Sequence, residues 1–158
     1  MRAWRALLTA GSIVLVGACG SPQAGGTKSV SLLKGGIRTV CVQARLRWNH
    51  SGIRLDPAGK YLITAQGIWW DKDYRHGPGG GDSPNGTMST FERFRRMKRE
   101  NWFKLICALD SQQSTAFPVG CKRAVDKRSG ELTCYANDVW LFYANNSGEI
   151  QMTVKRIE

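Results

Sequence analysis

Thr39-Val40-Cys41-Val42-Gln43-Ala44-Arg45-Leu46-Arg47-Trp48 alternates without a break. Val40, Val42, Ala44, Leu46 and Trp48 point one way, and Thr39, Cys41, Gln43, Arg45 and Arg47 point the other. That period of two is the signature of a strand with one buried face. Downstream, Pro57-Ala58-Gly59 reads as a turn and Tyr61 to Ala65 as a second strand. Further strands are expected at Phe103 to Leu109, Phe117 to Val125, Glu131 to Ala136 and Glu149 to Ile157. The stretches between them, Asp110-Ser111-Gln112, Lys127-Arg128-Ser129-Gly130 and Asn145-Asn146-Ser147-Gly148, carry turn residues. Many short strands at this spacing indicate an all-β fold, and a jelly-roll-like β-sandwich is the architecture expected.

Two segments break the pattern. Gly77 to Gly86 is so rich in glycine and proline that a loop is expected. Thr90 to Asn101 reads as one short inserted helix, with Phe91, Phe94 and Met97 on one face and Arg93, Arg95, Arg96, Lys98 and Arg99 around it. Those cations are either a solvated face or a patch that meets anionic headgroups or polysaccharide.

The chain has 158 residues, 42% of them hydrophobic and 22% charged, which suits one globular domain with an accessory segment. Its formal net charge of +11 suits a polyanionic partner: nucleic acid, lipid phosphates or acidic polysaccharide. The N-terminus decides among these. Met1-Arg2-Ala3-Trp4-Arg5 precedes an apolar run from Ala6 to Val16 and then Gly17-Ala18-Cys19, the layout of a secretory signal. The run is about eleven residues, too short to cross a hydrocarbon core of about 30 Å. Val16-Gly17-Ala18-Cys19 resembles the lipobox of bacterial lipoproteins, which implies a signal peptide over 1–18 and lipidation of Cys19. Gly20 in place of an aspartate implies, by the same resemblance, the outer membrane. Several acyl chains would anchor the protein stably to the cell envelope. Residues 19–36 are expected to be the lipidated cysteine and a flexible linker, and 37–158 the folded domain. An exported protein does not meet nucleic acid, so anionic glycan or lipid headgroups remain as polyanionic partners.

Cys41, Cys107, Cys121 and Cys134 are an even count in an oxidising compartment, which suggests two disulfides among three connectivities. Zinc spacing is absent: there is no Cys-x-x-Cys, and the only histidines are His50 and His76. Cys107 and Cys121 lie in phase with apolar neighbours on strands joined by a short connection. They are therefore expected to pair, leaving Cys41 with Cys134.

Tyr135-Ala136-Asn137-Asp138, then Phe142-Tyr143-Ala144-Asn145-Asn146-Ser147-Gly148, concentrates an acid, amides and turn formers. Calcium takes six to eight oxygens from such groups, so the stretch could hold a Ca2+ ion. Alternatively, Asn-Asn-Ser-Gly is turn chemistry alone.

The chain from Trp48 to Ile157 resembles the PA-I (LecA-like) calcium-dependent galactophilic bacterial lectins and their galactose-binding-domain relatives. The resemblance rests on Ser51-Gly52-Ile53-Arg54-Leu55, Tyr61 to Gly67, Gly77-Pro78 to Asp82, Leu105-Ile106, Phe117-Pro118-Val119-Gly120 and Gly130-Glu131-Leu132. Its most specific part is Asn137-Asp138 with Asn145-Asn146-Ser147-Gly148 after six intervening residues. It implies calcium held by the side chains of Asp138, Asn145 and Asn146 and by the carbonyls of Phe142 and Asp71. Sugar hydroxyls would then meet the metal, Asp138, Asn145 and Asn146, with Trp70, Trp140 or Tyr143 against the apolar sugar face. Trp140, Leu141 and Phe142 are bulkier than the family's residues there, and neither histidine matches its sugar-contacting one.

The function expected is a surface-anchored lipoprotein that binds a galactose-type sugar or glycan through calcium. The alternative is a structural or protein-binding envelope lipoprotein with the same sandwich but neither metal nor sugar. An enzyme is not expected: there is no Gly-x-Ser-x-Gly, His-Glu-x-x-His or phosphate loop, and Asp71, Asp73 and Asp82 are scattered.

Overall fold

The computed structural model describes residues 28–82 and 90–158. The expected signal peptide, Cys19 and the first part of the expected linker lie outside the described residues, as does the end of the 77–86 stretch expected to be a loop.

Strands β1 (Val30–Ser31), β2 (Ile37–Gln43), β3 (Asn49–Leu55), β4 (Lys60–Asp71), β5 (Tyr74–His76), β6 (Gly79–Gly81), β7 (Trp102–Leu109), β8 (Gln112–Pro118), β9 (Lys122–Asp126), β10 (Gly130–Ala136) and β11 (Asn146–Arg156) form two sheets. One runs β1-β3-β10-β7-β6 with β8 also on β7; the other runs β2-β11-β4-β5 with β9 also on β4. The expected all-β sandwich is therefore the observed fold. Val42, Ile63, Trp69, Ile150, Met152 and Val154 from one sheet pack against Ile53, Leu55, Leu105, Leu109 and Leu132 from the other in one core. At about 25 cal/mol per Å² of apolar surface, this shared face is the main force holding the layers together.

The quoted alternation is divided between strand and corner. β2 ends at Gln43, where Asn49 closes the turn: its Oδ1 accepts from Gln43 N (2.8 Å) and its Nδ2 donates to Gln43 O (3.0 Å). The chain then crosses to the opposite sheet as β3. Trp48 leaves the strand and packs edge-on against Tyr135, ring centroids 5.0 Å apart.

Four other expectations are corrected. Of the helix expected over 90–101 only the start is helical, Thr90 and Phe91 α-helical and Glu92–Phe94 a 3-10 turn, after which Arg95 is extended and bridges to Val139. The apolar triplet does not share a buried face, since Phe94 is exposed and Phe91 packs on Phe142. Gly79–Gly81, expected in a loop, is a strand on Lys104 and Trp102; there Gly80, at φ 69°, comes so close to the β7 backbone that a Cβ would clash. Phe117 to Val125 is two strands in different sheets, divided at Val119 and Gly120, whose amides donate to Leu105 O. Asp110 and Ser111 both have positive φ, making a tight hairpin that starts β8 at Gln112.

The disulfide expectation is also corrected. Cys107 and Cys134 are bonded to each other; they face one another directly in the β7–β10 register, their Cα atoms 4.0 Å apart. The pairings Cys107 with Cys121 and Cys41 with Cys134 are therefore both overturned. Cys121 is an exposed free thiol on the turn between sheets. Chain proximity suggested Cys121, but the cross-strand register places Cys134 opposite.

Candidate functional site

β4 and β11 run antiparallel with Asp71 opposite Asn146, so the end of one strand and the start of the other meet at one edge of the sandwich. β10 delivers Asn137 and Asp138 to the same edge, and a 3-10 turn, Tyr143–Asn145, carries the chain from there into β11. Tyr143 anchors that turn: its hydroxyl donates to Ala136 O (2.6 Å) and accepts from Arg96 Nη1 (2.9 Å). Burial raises the Tyr143 hydroxyl pKa, the flanking Arg96 opposing it in part, so the group stays protonated as a donor.

Four of the five residues assigned to metal form two neighbouring hydrogen-bonded pairs through their side chains, close enough for the charges of Asp71 and Asp138 to interact. Asn145 Nδ2 donates to Asp71 Oδ1 (2.7 Å), and Asn146 Nδ2 donates to Asp138 Oδ2 (2.8 Å). Asp138 Oδ1 accepts from Val139 N (2.6 Å). The fifth, Phe142, contributes its carbonyl beside them, accepting from Asn145 N at 3.4 Å. Asp71 was expected through its carbonyl alone, but its buried carboxylate is part of the cluster. That leaves two acids close together. Asp138 is pushed up to about 6, first by burial and further by the charge of Asp71, against the bonds from Asn146 and Val139. Burial also raises Asp71, outweighing His76, Lys72 and the Asn145 bond.

The donor set suits a hard cation. Asn146 Oδ1 is buried with no hydrogen-bond partner, an acceptor that burial would ordinarily penalise. Turning the two amides would present Asn145 Oδ1 and Asn146 Oδ1 alongside both carboxylates and the Phe142 carbonyl, the oxygen-only chemistry that calcium selects. A cation there would also relieve the repulsion that raises Asp138.

Asn137, half of the Asn-Asp signature, has a different role. Fully buried, it accepts from Met97 N (2.9 Å) and donates through Nδ2 to the carbonyls of Met97, Glu100 and Asn101 (3.0, 3.2 and 3.0 Å). This clamp ties 97–101 into bends and a turn rather than a helix. Arg96 then reaches the site from that segment: its backbone N donates to Asp138 O, and its guanidinium lies over Trp48, Tyr135 and Trp140 at 4.3, 3.3 and 4.6 Å. Neither role was legible as spacing. His76, buried and stacked on Phe103, is held neutral by burial beside Asp71. Trp70, Tyr74, Trp140, Leu141 and Phe142 form the exposed apolar groups at this end of the molecule.

No family model matches the sequence, and no curated protein matches it. In structure, the chain is similar to the "EclA N-terminal domain; PllA-like lectin" at TM-score 0.53 and 20% identity, over 75% of this chain and 94% of that one. The sandwich is lectin-like in fold. The lectin-like fold accounts for two sheets joined by β2–β3 and β8–β9 corners, and it leaves the chemistry of the edge cluster to this chain's own residues.

Proposed function

We propose that the domain binds carbohydrate, a galactose-type sugar or glycan, through a calcium site formed by Asp71, Asp138, Asn145, Asn146 and the Phe142 carbonyl. The observation that carries this reading is the convergence of those oxygens, remote in sequence, at one sandwich edge beside exposed aromatic side chains. Bound calcium would supply a Lewis-acidic centre to which paired sugar hydroxyls can add. Asp138 and the two asparagines would orient those hydroxyls by hydrogen bonds, and Trp70 or Trp140 would cover the apolar face of the ring. Cys19 would attach the domain to the envelope, and its basic surface would meet anionic polysaccharide or lipid headgroups.

One observation favours a second reading. Leu141 is 74% exposed among aromatic neighbours, the kind of apolar tip that docks against a protein partner. A calcium titration followed by a glycan array separates the two. Calcium-dependent retention of galactose-terminated glycans supports the first; protein capture that ignores calcium and glycan supports the second.

A further inference from the structure

Between the 92–101 segment and the β6–β7 edge lies a polar cleft of about 120 Å³, lined by three bases, Arg95, Lys98 and Arg99, by three acids, Asp82, Glu92 and Glu100, and by Trp102. Ligand pockets for whole small molecules run to roughly 300–1,000 Å³, so this cleft takes one group of a larger ligand. At its floor the Arg95 side chain is only 5% exposed and lies over Trp102, 5.0 Å from the ring centroid. Two N–H donors there, Arg95 Nε and Trp102 Nε1, are buried without any acceptor. Both lack the same thing, an oxygen atom, and one belongs to a cation.

Glu92 shows what kind of oxygen suits Arg95. Its carboxylate sits 3.1 Å from Arg95 Nη2, which also donates to Lys98 O (2.6 Å). Glu92 is itself 54% exposed on a three-residue turn, so this contact is weakly held and replaceable. On the rim, Lys98 and Arg99 enter no ion pair among the described residues, whereas Glu100 is matched by Lys104 at 2.7 Å. The cleft adjoins the oxygen cluster, since Arg95 bridges to Val139 and Arg96 N donates to Asp138 O.

We propose that this cleft is a carboxylate-binding subsite, in which Arg95 and Trp102 receive the carboxylate of an acidic sugar of the uronate class and Glu92 holds the guanidinium until that carboxylate displaces it. That the carboxylate belongs to a sugar rests on the carbohydrate reading above; that the cleft takes a carboxylate does not.

The test is titration of the full-length protein with glucuronate, and in parallel with glucose, in EDTA, following indole N–H signals by NMR. The Trp102 signal should move with glucuronate and stay with glucose. Glu92→Gln should tighten glucuronate binding several-fold, because it removes the internal competitor. Arg95→Lys should weaken it by about tenfold or more, since the planar fork is lost. Trp102→Phe, which keeps a buried aromatic ring and deletes the N–H, should weaken it by about three- to tenfold, one hydrogen bond's worth. An equal response to glucose, no response, or a Glu92→Gln variant that binds more weakly overturns the proposal. Glucuronate binding lost in Asp138→Asn but untouched by Arg95→Lys overturns it too and leaves the calcium reading standing. A protein that ignores calcium yet keeps the glucuronate response sinks that other reading alone.

Discussion

Replacing Asn137 by Ala should be among the most costly single changes at this end of the molecule, although on the present account the residue touches neither metal nor sugar. Its side chain makes four contacts, one accepted from Met97 N and three donated to carbonyls. The amide has only two protons for those three carbonyls, so it provides about three bonds' worth at roughly 1 kcal/mol each. Asn101 is exposed and recovers hydration when the amide is gone, whereas the half-buried Met97 and Glu100 keep unpaired groups. The expected loss is therefore about 2–4 kcal/mol. Urea unfolding without calcium measures it, with an unchanged m-value showing that the unfolded state is not the cause. Asn145→Ala is the control: Asn145 is exposed and makes a single side-chain bond, to Asp71, so its loss should stay below about 1 kcal/mol. Were Asn137→Ala to cost less than Asn145→Ala, the clamp would not be what holds residues 95–101 against the site.

Asp138 makes calcium-free stability depend on pH. Its folded-state value, about 6, lies above the unfolded 3.8, so the folded protein holds the proton more tightly. The cost of ionising it in place, about 3 kcal/mol, is present in full above pH 6 and vanishes as pH falls toward 4. Urea midpoints should therefore show this group stabilising the calcium-free protein on mild acidification; Asp138→Asn should flatten that slope, and an unchanged slope refutes the assignment. The Cys107–Cys134 bond closes a separation of 27 residues, worth about 3.5 kcal/mol by loop entropy. Non-reducing peptide maps should show that pair linked and Cys121 open to alkylation, and reduction should lower the melting temperature. Cys19→Ala should abolish palmitate labelling and membrane fractionation; unchanged labelling would remove the anchor.

Strands with one buried and one wetter face, as in β4 and β11, were legible because alternation reports that geometry directly, whereas β7 and β10, buried on both faces, were legible as short apolar runs between turn residues. The 90–101 segment was misread for an identifiable reason. Its apolar spacing matches a helix, but Asn137, some forty residues away, satisfies its backbone instead, a tertiary contact that local periodicity does not encode. Gly79–Gly81 was misread because glycine ordinarily weakens a strand, whereas here only glycine allows β6 so close to β7. The disulfide was misassigned for want of the β7–β10 register. At the site, Asp138, Asn145 and Asn146 were legible from composition and resemblance. The Asp71 carboxylate was not, since it depends on the β4–β11 register that places Asp71 opposite Asn146.

Isothermal calorimetry of the full-length protein with calcium at pH 7.5 tests the central claim most directly, paired with thermal melts in EDTA and in 10 mM calcium. Oxygen sites in extracellular modules bind at roughly 10⁻⁴ to 10⁻³ M, so 10 mM calcium should stabilise the fold by about 1.4–2.7 kcal/mol. The account predicts one calcium per chain, a higher melting temperature in calcium, and loss of both in Asp138→Asn. No heat of binding and superimposable melts in the unsubstituted protein would contradict it.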